Sequence, residues 1–288
     1  MDRIELEKNN EIQVRDLRVE YEFHVHTFGC KVNTYDTGLI QKNLVRGGYQ
    51  LDKPSSSLKE VSSPHKTPVH VLNTCAVTAE ATQQAVRLIR KIKSQEPLAT
   101  IVVTGCAAQV DTASFENLPG ANLVVANSHK GLLPSLLDQY FKGDLQQKVF
   151  KSNIFKKDDL EFGGGEESHH TRSFLKIQDG CNSFCTFCII PYARGKSRSI
   201  PVFQLIQKIK QLVIEGVQEV VLTGVHIGDY EDEQTGQVFK LEDLVERVLN
   251  QTDIPRLRLS SLEPIELSER LLKLFKNDRL CPHFHMSI

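Results

Sequence analysis

Short apolar runs and amphipathic helical segments take turns along this chain, and that alternation narrows its fold more than any other feature. The first cycle holds Phe23-His-Val-His-Thr27, Val69-His-Val-Leu-Asn-Thr-Cys75, Thr100-Ile-Val-Val-Thr-Gly-Cys106 and Asn122-Leu-Val-Val-Ala126. Between them lie helical patterns. One runs from about Asn33 to Arg46 with Leu39, Ile40 and Leu44 and stops at Gly47-Gly48; another sets Ala85, Val86, Leu88, Ile89 and Ile92 on one face; a third is Leu132 to Phe141. Strands separated by helices pair in parallel, because the helix is the crossover that returns the chain to the same edge. A second cycle starts at Phe174. Its strands are Phe174 to Gly180, Glu219 to Val225, Arg256 to Leu262 and His283 to Ile288, and its helical faces are Val202 to Val213, Leu241 to Leu249 and Leu267 to Phe275. The expectation is an α/β protein: an N-terminal parallel-sheet domain of the Rossmann or flavodoxin type, then part of a TIM-type (β/α) barrel, for which four strands are too few to close.

The cysteines fall where such folds place chemistry. Cys30, Cys75 and Cys106 each follow a predicted strand, and in a parallel sheet the carboxyl ends share one edge, so the three thiols are expected to converge. The alternative is three small apolar residues at strand ends. The second trio is tighter: Cys181-Asn-Ser-Phe-Cys185-Thr-Phe-Cys188 packs three cysteines into a loop between Gly180 and the Ile189-Ile-Pro-Tyr-Ala-Arg-Gly195 segment. Three thiolates that close wrap one compact centre. A four-iron, four-sulfur cube held by only three of them keeps one iron open, which makes a reactive centre rather than an electron carrier. Three core cysteines, a Cys3His zinc site using His169 or His170, and a Cys185/Cys188 redox pair are the competing accounts; the last leaves Cys181 unexplained.

Composition sets outer bounds. The 288 residues are 40% hydrophobic and 25% charged, enough for about two globular domains. Met1 to Asn10 is charged throughout and lacks a signal core, and no run approaches the roughly 20 apolar residues that span a bilayer. No membrane role is expected. Seven cysteines without a secretory signal point to a reducing, cytoplasmic setting. The formal net charge is -1, so any nucleic-acid contact must be local. The expected divisions are a polar extension over 1–20, an N-terminal domain over 21–142 with a serine- and proline-rich insertion at Pro54 to Pro64, a linker over 143–172 containing Gly163-Gly-Gly165, and a second domain over 173–288.

Taken together, Thr27-Phe-Gly-Cys-Lys-Val-Asn33, Asn73-Thr-Cys75, Gly105-Cys106 and Gly180-Cys-Asn-Ser-Phe-Cys-Thr-Phe-Cys-Ile-Ile-Pro-Tyr-Ala-Arg-Gly195 resemble the methylthiotransferase family of radical S-adenosylmethionine (SAM) enzymes. The resemblance covers nearly everything from Phe23 to Ile288. Ile177-Gln-Asp-Gly180, Leu222-Thr-Gly-Val-His-Ile-Gly228 and Leu257-Arg-Leu-Ser-Ser-Leu-Glu-Pro264 are most similar to the branch that modifies N6-threonylcarbamoyladenosine beside the tRNA anticodon. Sibling branches acting on isopentenyladenosine or on a ribosomal-protein aspartate, and an inactive metal-binding fragment, are the alternatives.

The resemblance implies two 4Fe-4S clusters, one on Cys181, Cys185 and Cys188 that cleaves SAM, and an auxiliary one on Cys30, Cys75 and Cys106 that carries the sulfur to be delivered. One SAM would methylate that sulfur, and a second would yield the radical that abstracts hydrogen from C2 of the adenine. It further implies that Phe187, Thr223 and Gly224 meet SAM, with Ser261 and Glu263 lining the same pocket unless they only cap a turn. Arg194, Lys196 and Arg198 are the expected contacts to tRNA phosphates, against simple solvated charge. A reductant such as flavodoxin or ferredoxin and a sulfur donor would be partners. Family members continue through further barrel strands into a small β-rich RNA-binding domain, so the resemblance makes this chain a truncated form that binds substrate poorly. Cys281 has no place in either trio.

Overall fold

The computed structural model describes residues 21–51, 68–164, 172–234 and 236–286. The expected 1–20 extension, the Pro54 to Pro64 insertion, His169 and His170 lie outside these. The chain divides into two compact units, one formed by residues up to Phe28 with Ile40–Ser152 and the other by Gly29–Leu39 with Asn153–Ile288.

The first unit is built on a six-stranded, all-parallel sheet. Its strands are β1 (Glu22–Thr27), β2 (Gln50–Leu51), β3 (Val69–Thr74), β4 (Thr100–Gly105), β5 (Leu123–Ala126) and β6 (Val149–Phe150), in the order β2-β1-β3-β4-β5-β6. The 2-1-3-4-5 order is that of a flavodoxin-like doubly wound sheet. β3 and β4 are buried along their whole length, as strands covered on both faces must be, which is why their sequences read as continuous apolar runs rather than alternating ones. Helix α1 (Lys31–Arg46) follows β1, its residues up to Leu39 counting with the second unit; α2 (Ala79–Gln95) follows β3, and short α3 (Cys106–Val110) and α4 (Thr112–Glu116) follow β4, with α5 (Leu133–Lys142) after β5. α2 starts where Thr78 accepts the Ala81 amide and buries Ala81, Ala85, Ile89 and Ile92 on one stripe. β6 falls inside the stretch expected to be linker. Its two residues pair with Val124 and Val125, so the sheet takes in part of what composition alone reads as a connection.

In the second unit, β7 (Arg172–Lys176), β10 (Glu219–Thr223) and β13 (Arg256–Leu259) form a parallel sheet in the order β13-β10-β7. β8 (Gln178–Asp179) continues β7 and pairs antiparallel with β9 (Arg198–Ser199); α6 (Ile190–Arg194) lies between them. α7 (Val202–Ile214) precedes β10, the hairpin β11 (Glu231–Gln234) and β12 (Gln237–Lys240) follows it, and α8 (Leu241–Gln251) leads to β13. After β14 (Ser261–Leu262) and α9 (Glu269–Leu274), β15 (His285–Met286) pairs in parallel with β14. Each crossover returns the chain to a neighbouring parallel strand, which is the progression of a (β/α) barrel. One core joins the layers: Leu205, Ile209 and Leu212 from α7 and Leu244, Val245 and Val248 from α8 pack on Leu175, Leu222 and Leu257 from the strands. The β11–β12 hairpin has no counterpart in the expected pattern, because Glu231-Asp-Glu-Gln234 carries no apolar alternation.

Candidate functional site

The three-cysteine loop is tied down at both ends. The Cys181 amide donates to the Gly195 carbonyl at 3.1 Å, and the Cys188 amide donates to the Cys185 carbonyl at 2.9 Å. Gly180 enters at φ +79°, where a Cβ would overlap the Lys196 carbonyl, so this close approach of two backbones needs glycine. Phe184 also takes a positive φ, 47°, unusual for a residue with a Cβ and in keeping with a sharply folded loop. All three thiols are free. Cys185 is exposed and Cys181 and Cys188 are half-buried, while Phe187 is 90% exposed beside them. A Ser183 amide donates to Cys181 Sγ at 3.4 Å. Soft, unpaired sulfur donors presented by one tight, partly open loop suit an iron–sulfur cluster, and the donor chemistry fits.

Gln178 ties this loop to the end of β10. Fully buried, it donates through Nε2 to the Gly180 carbonyl (2.6 Å) and Ser197 Oγ (2.9 Å) and accepts at Oε1 from the amides of Val225 (3.1 Å) and His226 (2.9 Å). Thr223 and Gly224 therefore stand next to the cysteine loop at the carboxyl end of their strand. Thr223 is buried, and its carbonyl accepts the Ile177 amide at 2.8 Å. His226 follows. Its Nδ1 lies 3.0 Å from Asp229 and 3.9 Å from Cys181 Sγ, and its Nε2 faces Glu266. Cys181, His226 and Asp229 bring three ligand atoms of the zinc type together, a set without Cys185 or Cys188 and so not the expected Cys3His site, whose His169 and His170 lie outside the described residues. Glu263 is exposed, and its amide donates to Glu266 at 2.7 Å; Ser261 is exposed, with its Oγ 3.1 Å from His285 Nδ1.

The basic trio separates. Arg194, expected to reach tRNA phosphate, is 3% exposed: Nη1 donates to both Asp179 oxygens (3.0 and 3.1 Å), and Nη2 to Asn33 (2.6 Å) and Asp36 (3.1 Å). That expectation is corrected, since a guanidinium committed to buried carboxylates presents nothing to a phosphate. Arg198 spends its donors on the carbonyls of Arg194, Lys196, Lys157 and Asp159. Lys196 alone of the three is exposed.

In the first unit, Cys75 and Cys106 sit one residue beyond Thr74 and Gly105, which are in register on β3 and β4. Gly105 holds φ +95° where a Cβ would overlap the Thr74 backbone, and Thr74 Oγ1 donates to the Thr104 carbonyl (2.5 Å) and accepts the Ala108 amide (3.3 Å). Both thiols are buried. Each sulfur faces an N–H: Val77 N at 3.4 Å from Cys75 Sγ and Asn127 Nδ2 at 3.6 Å from Cys106 Sγ. Cys30 belongs to the second unit and is exposed at the start of α1, where its carbonyl accepts the Thr34 amide. Cys281 is buried alongside β13, its amide donating to the Leu257 carbonyl.

Lys176, Gln178, Asp179, Asp36 and His226 stand out in the structure and were not singled out by sequence reasoning. The available signal was polar residues inside a strand otherwise apolar, Phe174-Leu-Lys-Ile-Gln-Asp179, and a histidine three positions past a strand end.

Comparison with known proteins agrees with this architecture. Residues 22–126 match the family described as "Uncharacterized protein family UPF0004", and residues 175–288 match the radical SAM superfamily. The chain is 35% identical over 264 residues to the threonylcarbamoyladenosine tRNA methylthiotransferase MtaB of Aquifex aeolicus, covering 91% of this chain and 61% of that protein. It is 36% identical over 287 residues to the MtaB of Rickettsia prowazekii (97% and 60%). A Wolbachia pipientis tRNA-2-methylthio-N(6)-dimethylallyladenosine synthase is 30% identical over 269 residues (92% and 59%). The chain thus spans about three fifths of the length of these curated relatives. Among solved structures, the radical SAM methyltransferase TsrM from Kitasatospora setae superposes with a TM-score of 0.57 at 13% identity, covering 89% of this chain and 58% of that one, a likeness of fold. With both domains matched in order and relatives aligned along most of its length, the chain belongs to the radical SAM methylthiotransferase family.

Proposed function

We propose that the protein of which this chain forms a part is a tRNA methylthiotransferase that installs a methylthio group at C2 of N6-threonylcarbamoyladenosine. The observation that carries the reading is the loop of three free thiols at the carboxyl ends of the second unit's parallel strands, cross-tied by Gln178 to the β10 end. Cys181, Cys185 and Cys188 would hold a 4Fe-4S cluster with SAM on its open iron. Together these groups would supply the one-electron chemistry needed to reach an unactivated aromatic C–H bond, which acid–base side chains cannot break. Phe187 would border SAM from the loop. Thr223 and Gly224 would receive its polar end on backbone groups, and Ser261 and Glu263 would line the outer side. Cys30, Cys75 and Cys106 would hold the auxiliary 4Fe-4S cluster. Burial of Cys75 and Cys106, each with an N–H aimed at sulfur, would shield two of its ligands from water.

Lys196 is left as the tRNA phosphate contact from the expected trio. A low-potential reductant such as flavodoxin or ferredoxin and a sulfur donor complete the partners. Among the described residues no helix is long and apolar enough to cross a membrane, and a cytoplasmic setting follows from the reducing conditions that such clusters need. The dimethylallyladenosine branch is the second reading, favoured by the 30% identity to its Wolbachia member. Mass analysis of tRNA nucleosides from cells with and without the full-length gene decides between them. Loss of 2-methylthio-N6-threonylcarbamoyladenosine alone supports the proposal, whereas loss of the methylthio form of dimethylallyladenosine transfers it to the sibling.

A further inference from the structure

Beneath the cysteine loop lies a closed ring of alternating charge. Lys176 Nζ contacts Asp36 at 2.6 Å and Asp179 at 3.0 Å; Arg194 contacts the same two carboxylates at 3.1 Å (Asp36) and 3.0 Å (Asp179). All four side chains are at most 9% exposed. Two cations and two anions balance, and each carboxylate is shared by both cations. Asn33 adds a further acceptor to Arg194, and the Tyr35 ring lies 5.2 Å beneath the Lys176 ammonium.

The position of this ring in the chain is informative. Asp179 accepts the Gly180 amide at 2.9 Å, directly before Cys181. Arg194 precedes Gly195, whose carbonyl accepts the Cys181 amide. The Asp179–Arg194 pair therefore clamps the two ends of the loop together. Asp36 comes from far away in sequence. It lies on α1, six residues after Cys30, so a rigid helical rise of about 9 Å separates the two.

We propose that Asp36 is a positioning residue for the three-cysteine loop: by bridging Lys176 and Arg194 it completes the clamp that fixes the loop's ends, and it holds the Cys30-bearing start of α1 in register with that loop. The inference rests on the proposed role of the loop as a cluster site, but the clamp itself is a property of the protein without metal. Removing the Asp36 carboxylate takes away the partner that fixes Nη2 of Arg194, so the guanidinium is held less firmly at the loop's end whether or not Lys176 keeps its charge. General stabilisation would act differently, because it would spread over the whole unit and would be repaired by restoring charge balance.

Two variants separate these cases. Asp36→Asn removes the charge, and Asp36→Asn with Lys176→Met removes a cation as well, so neutrality returns without the bridge. Amide hydrogen exchange on the metal-free chain reads the loop directly. Both variants are expected to exchange the Cys181, Cys188 and Gly195 amides at least about tenfold faster than the parent, while β10 amides keep the parent rate. After anaerobic reconstitution, both are expected to bind iron yet lose most of the SAM-dependent change in the electron paramagnetic resonance spectrum. Unchanged loop exchange, acceleration spread evenly over the second unit, or full recovery in the double variant overturns the proposal. If the parent itself takes up no iron, the cluster reading fails, and the exchange result still decides the role of Asp36.

Discussion

Arg194 meets Asp179 through paired contacts of 3.0 and 3.1 Å, with 3% and 9% of the two side chains exposed, across the fourteen intervening residues that include all three clustered cysteines. Burial alone would penalise the charge on Asp179, but Arg194 and Lys176 outweigh it and hold the carboxyl well below the usual carboxylate range. Arg194→Ala strands two buried carboxylates with Lys176 as the remaining cation of the ring. The expected loss is on the order of 3–5 kcal/mol, read by urea unfolding of the metal-free chain. Arg194→Lys should recover only part of it, because an ammonium cannot supply the paired fork. A loss no larger than that of an exposed charge would show that the pair is not structural.

The same pair sets an acid limit. A carboxyl whose folded-state pKa is lowered contributes stability that is complete above its unfolded value and disappears as the pH falls through the folded value, so the ring's contribution is expected to fade below about pH 4.

A second acid-sensitive element sits on the first unit's sheet. His26 Nε2 lies 3.0 Å from His70 Nδ1, His24 and His26 both stack on the His70 ring, and His70 Nε2 lies 3.2 Å from Glu96. Burial and the neighbouring His70 and His24 lower the His26 pKa to about 4, against a smaller opposing pull from Glu96. Between pH 6.5 and 4 the unfolded chain binds the proton that the folded chain refuses, so stability falls as the pH drops through that window. The contribution is on the order of 1–3 kcal/mol after allowance for partial solvent contact. His26→Gln should flatten the stability–pH curve between pH 6.5 and 4 while leaving the region below pH 4 unchanged. A curve with the parent's slope in that window would contradict the assignment.

Gly180→Ala tests the closeness of the loop's two ends. The added methyl must displace the Lys196 carbonyl and take a left-handed backbone, so the Cys181–Gly195 hydrogen bond is expected to break. The cost is about 1–3 kcal/mol in stability, with iron uptake by the loop reduced. Gly216→Ala, also at positive φ but with open space around its Cβ, is the control and should cost less while leaving iron uptake intact. Equal effects from both would mean that the contact with Lys196 does not matter.

Much of this was legible in advance, and the misses have physical causes. β3, β4 and β10 read directly as apolar runs because parallel strands are buried on both faces, and α7 showed its buried stripe at helical spacing. Two-residue β2 and β6 carry too little pattern to register, and the β11–β12 hairpin is polar because it lies outside the main sheets. The cysteines announced themselves by spacing. Arg194 misled for the opposite reason: a charged residue beside a reactive loop suggests a ligand contact, and only the fold shows Asp36 and Asp179 waiting for it. Burial of an arginine depends on partners distant in sequence, which local reading cannot see.

Lys196 and Arg198 offer a contrast in nucleic-acid binding. In the full-length protein, Lys196→Ala is expected to weaken tRNA binding and to reduce the salt dependence of affinity by about one counterion. Arg198→Ala, whose guanidinium serves backbone carbonyls, should act mainly on stability. Measuring tRNA affinity across a salt series distinguishes them; an unchanged slope for Lys196→Ala removes it from the interface.

The iron content of anaerobically reconstituted protein tests the central claim most directly. Two cubes require about eight irons and eight sulfides per chain. Replacing Cys181, Cys185 and Cys188 together by alanine should leave about four, and replacing Cys30, Cys75 and Cys106 should likewise leave about four with the SAM-responsive spectrum intact. A parent that takes up zinc instead of iron, or that keeps its full iron load when either trio is removed, would contradict the account.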